Sequence, residues 1–202
     1  RAAHELAARA TDAYEAARTK VKDFLGASSV EEIIFVRGAT EAINLVVKTW
    51  GVQNVQAGDD IIVSHLEHHA NIIPWHFLRE RRGAVIKWAP VDDDGNFLID
   101  EFEKLLTDRT KMVAVTQMSN VLGTIVPIKE ITRMAHARGI PVLVDGAQGA
   151  VHLPVGHTVA VRDVEREEHL VAAVDPQPAA EASAPFAKIE QAGIVVVDVT
   201  AV

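Results

Sequence analysis

Between positions 31 and 147 the chain alternates apolar runs of strand length with amphipathic runs of helix length, joined by short connections. "EEIIFVRG" (31–38), "DDIIVSHL" (59–66), "AVIKWAPV" (84–91), "KMVAVTQM" (111–118) and "IPVLVDGA" (140–147) read as strands. "TEAINLVVKTWG", ending at Gly51, "IIPWHFLRERRG", "IDEFEKLL" and "PIKEITRMAHARG" read as the helices between them. Pro74 fits such a helix only in its first turn, where its missing N–H costs nothing. "DDDGN" is a turn. An earlier helix is marked by Leu6, Ala10, Tyr14, Ala17, Val21 and Phe24 at helical spacing, with Gly26 as its stop. Strand–helix alternation of this kind predicts an α/β fold, a mostly parallel sheet covered by helices on both faces. Strand order does not follow from it.

Beyond Val155 the character changes. "GHTVAVRDVEREEHLVAAV" is charged and weakly periodic, "DPQPAAEASAPFA" reads as a Pro/Ala-rich linker, and "AGIVVVDVTAV" as one last strand. The expected organisation is therefore a body over residues 1–155 and a divergent tail over 156–202. No internal repeat is visible. A net charge of −8 argues against a binder of nucleic-acid backbones. The 202 residues include no cysteine, so disulfides, thiolate-ligated metal and thiol catalysis by this chain are excluded. No uninterrupted apolar stretch would span a bilayer, and "RAAHELAARATDAYEAAR" lacks the apolar middle of a secretory signal. A cytoplasmic location is the expectation, with no membrane partner. The chain begins with Arg1 inside a helical pattern, which suggests a start part-way through a longer product.

In open parallel sheets ligands bind beyond the carboxyl ends of the strands, and here those ends are polar: "RGATEA", "SHLEHHAN", "TQMSNVLGT" and "DGAQ". In the first, Gly38 permits close backbone approach and Thr40 can cap the helix or offer its hydroxyl to an anion at the helix N-terminus. For this motif alone, an ordinary N-cap is the better explanation of Thr40. His65, His68 and His69 admit three readings: a metal site, a polar strand-to-helix turn, or an imidazole stacked over a flat ring. Asn120 is either turn chemistry or a donor to a phenolate oxygen. The sharpest feature is Asp145, which ends the apolar run "VLVDGAQ". A carboxylate there either caps the next segment or holds a positive charge, such as a cationic heteroaromatic nitrogen. Gln148, about one helical turn on, could share that ligand.

Together, "RATDAYEAAR", "FVRGATEAINLV", "EHHANIIPW", "SNVLGTIVPI" and "VLVDGAQ" resemble, in order and at suitable separation, pyridoxal-phosphate enzymes of fold type I. More narrowly they resemble the SufS-type (group II) cysteine desulfurases of aminotransferase class V. "EHHANIIPW" is the most specific of the five. The resemblance implies a pyridoxal 5'-phosphate cofactor. Ala39, through its amide, and Thr40 would hold the phosphate; His68 would stack on the ring with His69 in support. Asn120 and Gln148 would hydrogen-bond the phenolic oxygen, and Asp145 would pair with the ring nitrogen. It further implies conversion of L-cysteine to L-alanine with an enzyme-bound persulfide, a homodimer, and a SufE- or SufU-like sulfur acceptor in iron–sulfur cluster assembly. No metal is expected at the three histidines.

The departures matter as much. Nothing after Val155 resembles the family's Ser-Gly-His-Lys segment with its Schiff-base lysine; the one lysine beyond Asp145 is Lys188, in "PFAKIE". The persulfide cysteine and the small C-terminal domain are missing as well. "ATE" at 39–41 replaces the more usual Thr-Thr-Glu. The expectation is a truncated desulfurase, inactive alone, with an unrelated or frameshifted tail. A selenocysteine lyase or other class-V fragment, and a non-catalytic scaffold built on the same sheet, are the alternatives.

Overall fold

The structure is a computed structural model that describes residues 4–27, 29–153, 170–174 and 193–197, the last two segments as backbone. Seven strands among these residues form one sheet: β1 (Ile33–Val36), β2 (Asp60–Ser64), β3 (Val85–Ala89), β4 (Thr110–Thr116), β5 (Val142–Asp145), β6 (Leu170–Val174) and β7 (Gly193–Val197). Their order is β1-β7-β6-β5-β4-β2-β3. The pairs β2–β3, β2–β4, β4–β5 and β5–β6 are parallel, whereas β7 runs antiparallel to both its neighbours. The expected α/β architecture is present. The last expected strand exists as β7, while β6 lies in the charged stretch that periodicity does not single out. The Pro/Ala-rich stretch falls outside the described residues.

Side-chain alternation along the central strands builds two cores. Ile61 and Val63 of β2, Met112 and Ala114 of β4 and Leu143 of β5 point to one face. There they meet Ala42, Ile43 and Val46 of α2 (Ala39–Val46) and Trp75 and Leu78 of α4 (Ile73–Arg82). Ile62, Val113, Val115, Val142 and Val144 point to the other face. They pack on Phe102 of α5 (Ile99–Leu105) and on Ile131 and Ala135 of α6 (Ile128–His136). Burial on both faces is why these strands read as unbroken apolar runs rather than as alternating ones.

Pro74 sits in the first turn of α4, as the sequence requires. α1 (Glu5–Leu25) stops at Gly26, whose φ of 72° is left-handed, and it buries only Val21 and Leu25. Leu6 and Tyr14, at the other end of the same stripe, stay exposed. One expected boundary shifts. The helix that starts at Ala39 passes through a wide turn at Val47–Gly51 and ends three residues later, in α3 (Val52–Asn54). Gly51 has helical dihedrals and lies against Leu78, where a Cβ would come within 2.8 Å of Cδ1. It is a packing glycine rather than a stop.

The chain runs from β2 through α4 to β3 at the edge, then returns to β4 on the other side of β2. The crossing point between β2 and β4 is where an open parallel sheet leaves a crevice at its carboxyl ends. Behind that edge, Gln117 is buried just after β4, and Gly149 begins the short helix α7 (Gly149–His152). A Cβ on Gly149 would overlap Gln117 Oε1 and fall 2.8 Å from its Cγ. Overpacking a buried contact costs about 1–3 kcal/mol. Gly149→Ala is expected to lower unfolding free energy by about that much in a urea titration, and an unchanged midpoint would refute the close packing.

Candidate functional site

The polar residues singled out in the sequence gather along the carboxyl edge of the sheet. After β1, Gly38 takes φ 155°, ψ 170°, a conformation essentially restricted to glycine. It, not Thr40, is the N-cap of α2, and no side chain caps that end. The N-cap reading of Thr40 is thereby corrected: Thr40 is the second helical residue, exposed, with its carbonyl accepting from Asn44 Nδ2 at 2.8 Å. Glu41 closes the turn by accepting from the Arg37 amide at 2.7 Å and from its guanidinium. The first-turn amides of α2, beginning with that of the buried Ala39, therefore keep the anion-favouring end of a helix without an internal side-chain acceptor.

After β5, Asp145 is 4% exposed and its Oδ1 accepts from the Ala147 amide at 3.0 Å. The capping half of the sequence question is thus answered: the carboxylate does fold the chain into the next turn. Asp145 is the parallel-register partner of Thr116, the last residue of β4. Gln148, partly exposed, precedes α7. Asn120 is exposed in the loop after β4, whose stem is closed by the Ser119 amide bonding the Thr124 carbonyl at 2.9 Å.

Of the three histidines, His65 leaves the group and stacks on Trp88, centroids 5.4 Å apart. His68 and His69 are exposed neighbours with ring centroids 4.0 Å apart. The His68 Nδ1 accepts from the Ala70 amide at 3.3 Å and so caps the turn His69–Asn71. Among the described residues no three His, Cys, Asp or Glu side chains converge to hold a metal ion.

A group the sequence reading passed over centres on Glu67, the residue before His68. Glu67 Oε1 accepts from the Thr116 amide at 2.8 Å and from the Ser64 hydroxyl; Oε2 accepts from Asn71 Nδ2 at 2.7 Å. Asn71 Oδ1 in turn accepts from the Trp75 indole at 3.1 Å, and both Asn71 and Trp75 are fully buried. Glu67, Asn71 and Trp75 stand four apart inside "EHHANIIPW". That spacing was the available signal. The network ties the ends of β2 and β4 together at the crossing point of the sheet.

Burial of the Glu67 carboxyl raises its pKa to about 7 against three lowering hydrogen bonds, and the negative charge of Asp145 raises it further. The two carboxylates at this edge are therefore electrostatically coupled.

The chain matches the aminotransferase class-V family over residues 1–160. It belongs to that family. Within this class-V group it is 61% identical over 155 residues to a cysteine desulfurase of Synechococcus elongatus, covering 77% of this chain and 25% of that one. It is 52% identical to a cysteine desulfurase of Dickeya dadantii, over 77% of this chain and 38% of that one. The fold superimposes with a TM-score of 0.77 and 32% identity on the crystal structure of the cysteine desulfurase CsdA from Escherichia coli, covering 98% of this chain and 46% of that one. The chain thus spans roughly a quarter to a half of the length of these relatives. Among the described residues no helix is long and apolar enough to cross a membrane.

A carboxyl with a raised folded pKa stabilises the fold below its unfolded pKa, and the contribution is lost as pH rises through the folded value. For Glu67 that window runs from 4.5 to about 7. The stability difference between wild type and Glu67→Ala is therefore expected to be larger at pH 5 than at pH 8. A shift of this size corresponds to roughly 3 kcal/mol at most. Denaturant midpoints of both proteins across that range check it; a difference independent of pH would refute the assignment.

Proposed function

We propose that this class-V aminotransferase chain is the cofactor-holding part of a cysteine desulfurase, of the SufS type, acting with pyridoxal 5'-phosphate. The observation that carries the reading is Asp145, a buried carboxylate at the carboxyl end of an apolar strand in a chain so similar to cysteine desulfurases. The donor set suits the group. The Ala39 amide, Thr40 and the open first turn of α2 would hold the phosphate, Gly38 letting the backbone approach it. His68 would lie over the ring, supported by His69. Asn120 and Gln148 would bond the phenolic oxygen, and Asp145 would hold a proton on the ring nitrogen. When bound, the cofactor supplies an electron sink for the substrate's α-carbon. Asp145 contributes by keeping the ring cationic, and His68 by excluding water from one face.

The same reading extends to L-cysteine as substrate, a SufE- or SufU-like acceptor of the persulfide sulfur, and a homodimer. Val121, Leu122 and Ile125, exposed beyond β4, are apolar surface of the sort a second subunit covers. The absence of cysteine favours a further restriction: this chain holds the cofactor without itself accepting sulfur.

Removing one partner of a buried charge pair costs roughly 3–5 kcal/mol. Asp145→Ala is accordingly expected to weaken pyridoxal-phosphate binding, read by fluorescence titration, far more than Asp93→Ala in the exposed turn. Equal affinities would reduce Asp145 to a cap, and no binding by the parent would sink the reading.

The chain as it stands, given pyridoxal phosphate and L-cysteine, is expected to make no alanine above the rate of the free cofactor. Desulfuration needs a thiol and a positioned lysine. Lys188 lies outside the described residues, and its sequence context "PFAKIE" lacks the Ser-Gly-His-Lys pattern of the family's Schiff-base lysine. Chain-dependent alanine production abolished by Lys188→Ala would overturn this expectation.

A further inference from the structure

The direction of the hydrogen bonds around Glu67 constrains that position closely. The Trp75 indole is only a donor, so it requires the oxygen of Asn71. Asn71 must then present its NH₂ to residue 67, where it meets Oε2. From the other side, the Thr116 backbone amide, also only a donor, meets Oε1. Residue 67 therefore needs an acceptor at each end. A carboxyl meets that demand and a carboxamide cannot. With a glutamine side chain in its place, one pair of donors faces each other at Thr116 or at Asn71. Turning Asn71 over only moves the conflict to Trp75.

The network also encloses what it holds. Glu67 and Asn71 are joined side chain to side chain, and His68, His69 and Ala70 are the residues between them. The same carboxyl is pinned to β2 through Ser64 and to β4 through Thr116. We propose that Glu67 is a positioning residue: it clamps the loop that carries His68 onto the ends of β2 and β4, and the clamp changes with the proton it carries. The assignment of His68 to a cofactor face rests on the proposed function; the clamp itself does not.

The proton has a place to sit. Ser64 Oγ donates to Glu67 in the ionised form and already accepts from the Leu66 amide at 3.1 Å, so its hydroxyl can turn and accept from a protonated Glu67. The two other donors to Glu67, the Thr116 amide and Asn71 Nδ2, keep their acceptors. Titratable groups on the surrounding elements are few. Asp145 at the end of β5 opposes ionisation. His65, His68 and His69 lie on the same loop, with His76 on α4. α2, packed on the His69–Asn71 turn, brings Glu41, which is paired with Arg37. β4 contributes only the uncharged Thr116 amide at this end.

The test is a swap of polarity in the cofactor-free 202-residue chain. Glu67→Gln is expected to lower the melting temperature by several degrees and to move the Cε1–H resonance of His68. Adding Asn71→Asp reverses the bond between the two side chains. The introduced carboxamide can then donate to the introduced carboxylate and accept from Thr116, while that carboxylate accepts from both the carboxamide and Trp75. Melting temperature and His68 resonance should therefore both return toward wild type. In the wild type, the Trp75 indole N–H resonance, assigned by its loss in Trp75→Phe, should titrate with a midpoint near 7, and that titration should vanish in Glu67→Gln. The inference is overturned if the double variant is no better than the single one. It is equally overturned if His68 is unmoved in Glu67→Gln, or if the Trp75 titration survives there. None of these readouts needs cofactor, so they decide the clamp even if wild type binds no pyridoxal phosphate, an outcome that counts against the proposed function alone. Where wild type does bind, Glu67→Gln should weaken binding about tenfold, the scale of one unsatisfied buried donor, and the swap should recover it.

Discussion

Covering a parallel sheet on both faces removes water from its strands, and nearly everything else in this protein is a consequence of that removal. The five side chains of β2 and the four of β5 are all buried. Polar groups can survive along such strands only where the ladder ends and something else can satisfy them. At the amino end of β2, Asp60 bonds the Thr107 hydroxyl at 3.3 Å. At the carboxyl edge, Ser64, Glu67, Thr116 and Asp145 meet where the chain has crossed from one side of β2 to the other. The crevice edge is polar because the sheet leaves no other place for polarity.

Two carboxyl groups share that edge in different environments. Asp145 belongs to a strand end, and its Oδ1 is bonded by the amide of the turn it begins. Glu67 belongs to a loop and reaches back under it, with three donors on its two oxygens and a pKa raised to about 7 by burial. The burial of Glu67 and the charge of Asp145 both favour the protonated form of the Glu67 carboxyl. His68 follows Glu67 in the chain. Its own ring nitrogen is engaged by the Ala70 amide, so the imidazole is oriented from within its turn.

The chain spans a quarter to a half of the length of its relatives and carries the strand-end loops described above. The central strands, both core layers and the loops after β1, β2, β4 and β5 all lie before residue 154. Two further strands, β6 and β7, extend the same sheet between β5 and β1. Backbone pairing rather than side-chain identity is what the sheet needs at these positions, which is consistent with a stretch of weak periodicity supplying one of them.

What the sequence determined by itself was local: which runs are strands or helices, that two layers of helix cover one sheet, and that polar residues sit at strand ends. Period, cap and turn chemistry act over a few residues, so "DDIIVSHL" and "VLVDGAQ" announced themselves. Tertiary structure decided what depends on which distant groups meet. Strand order and the reversed direction of β7 are set by pairing, on which a single strand's pattern is silent. Gly51 and Thr40 were misread because a packing contact with Leu78 and a turn closed by Glu41 outweighed the usual meaning of a glycine stop and a threonine cap. Glu67 was hidden among histidines for the same reason. Its bond to the Thr116 amide joins residues 49 apart in the chain, and only the parallel docking of β2 against β4 brings that donor within reach.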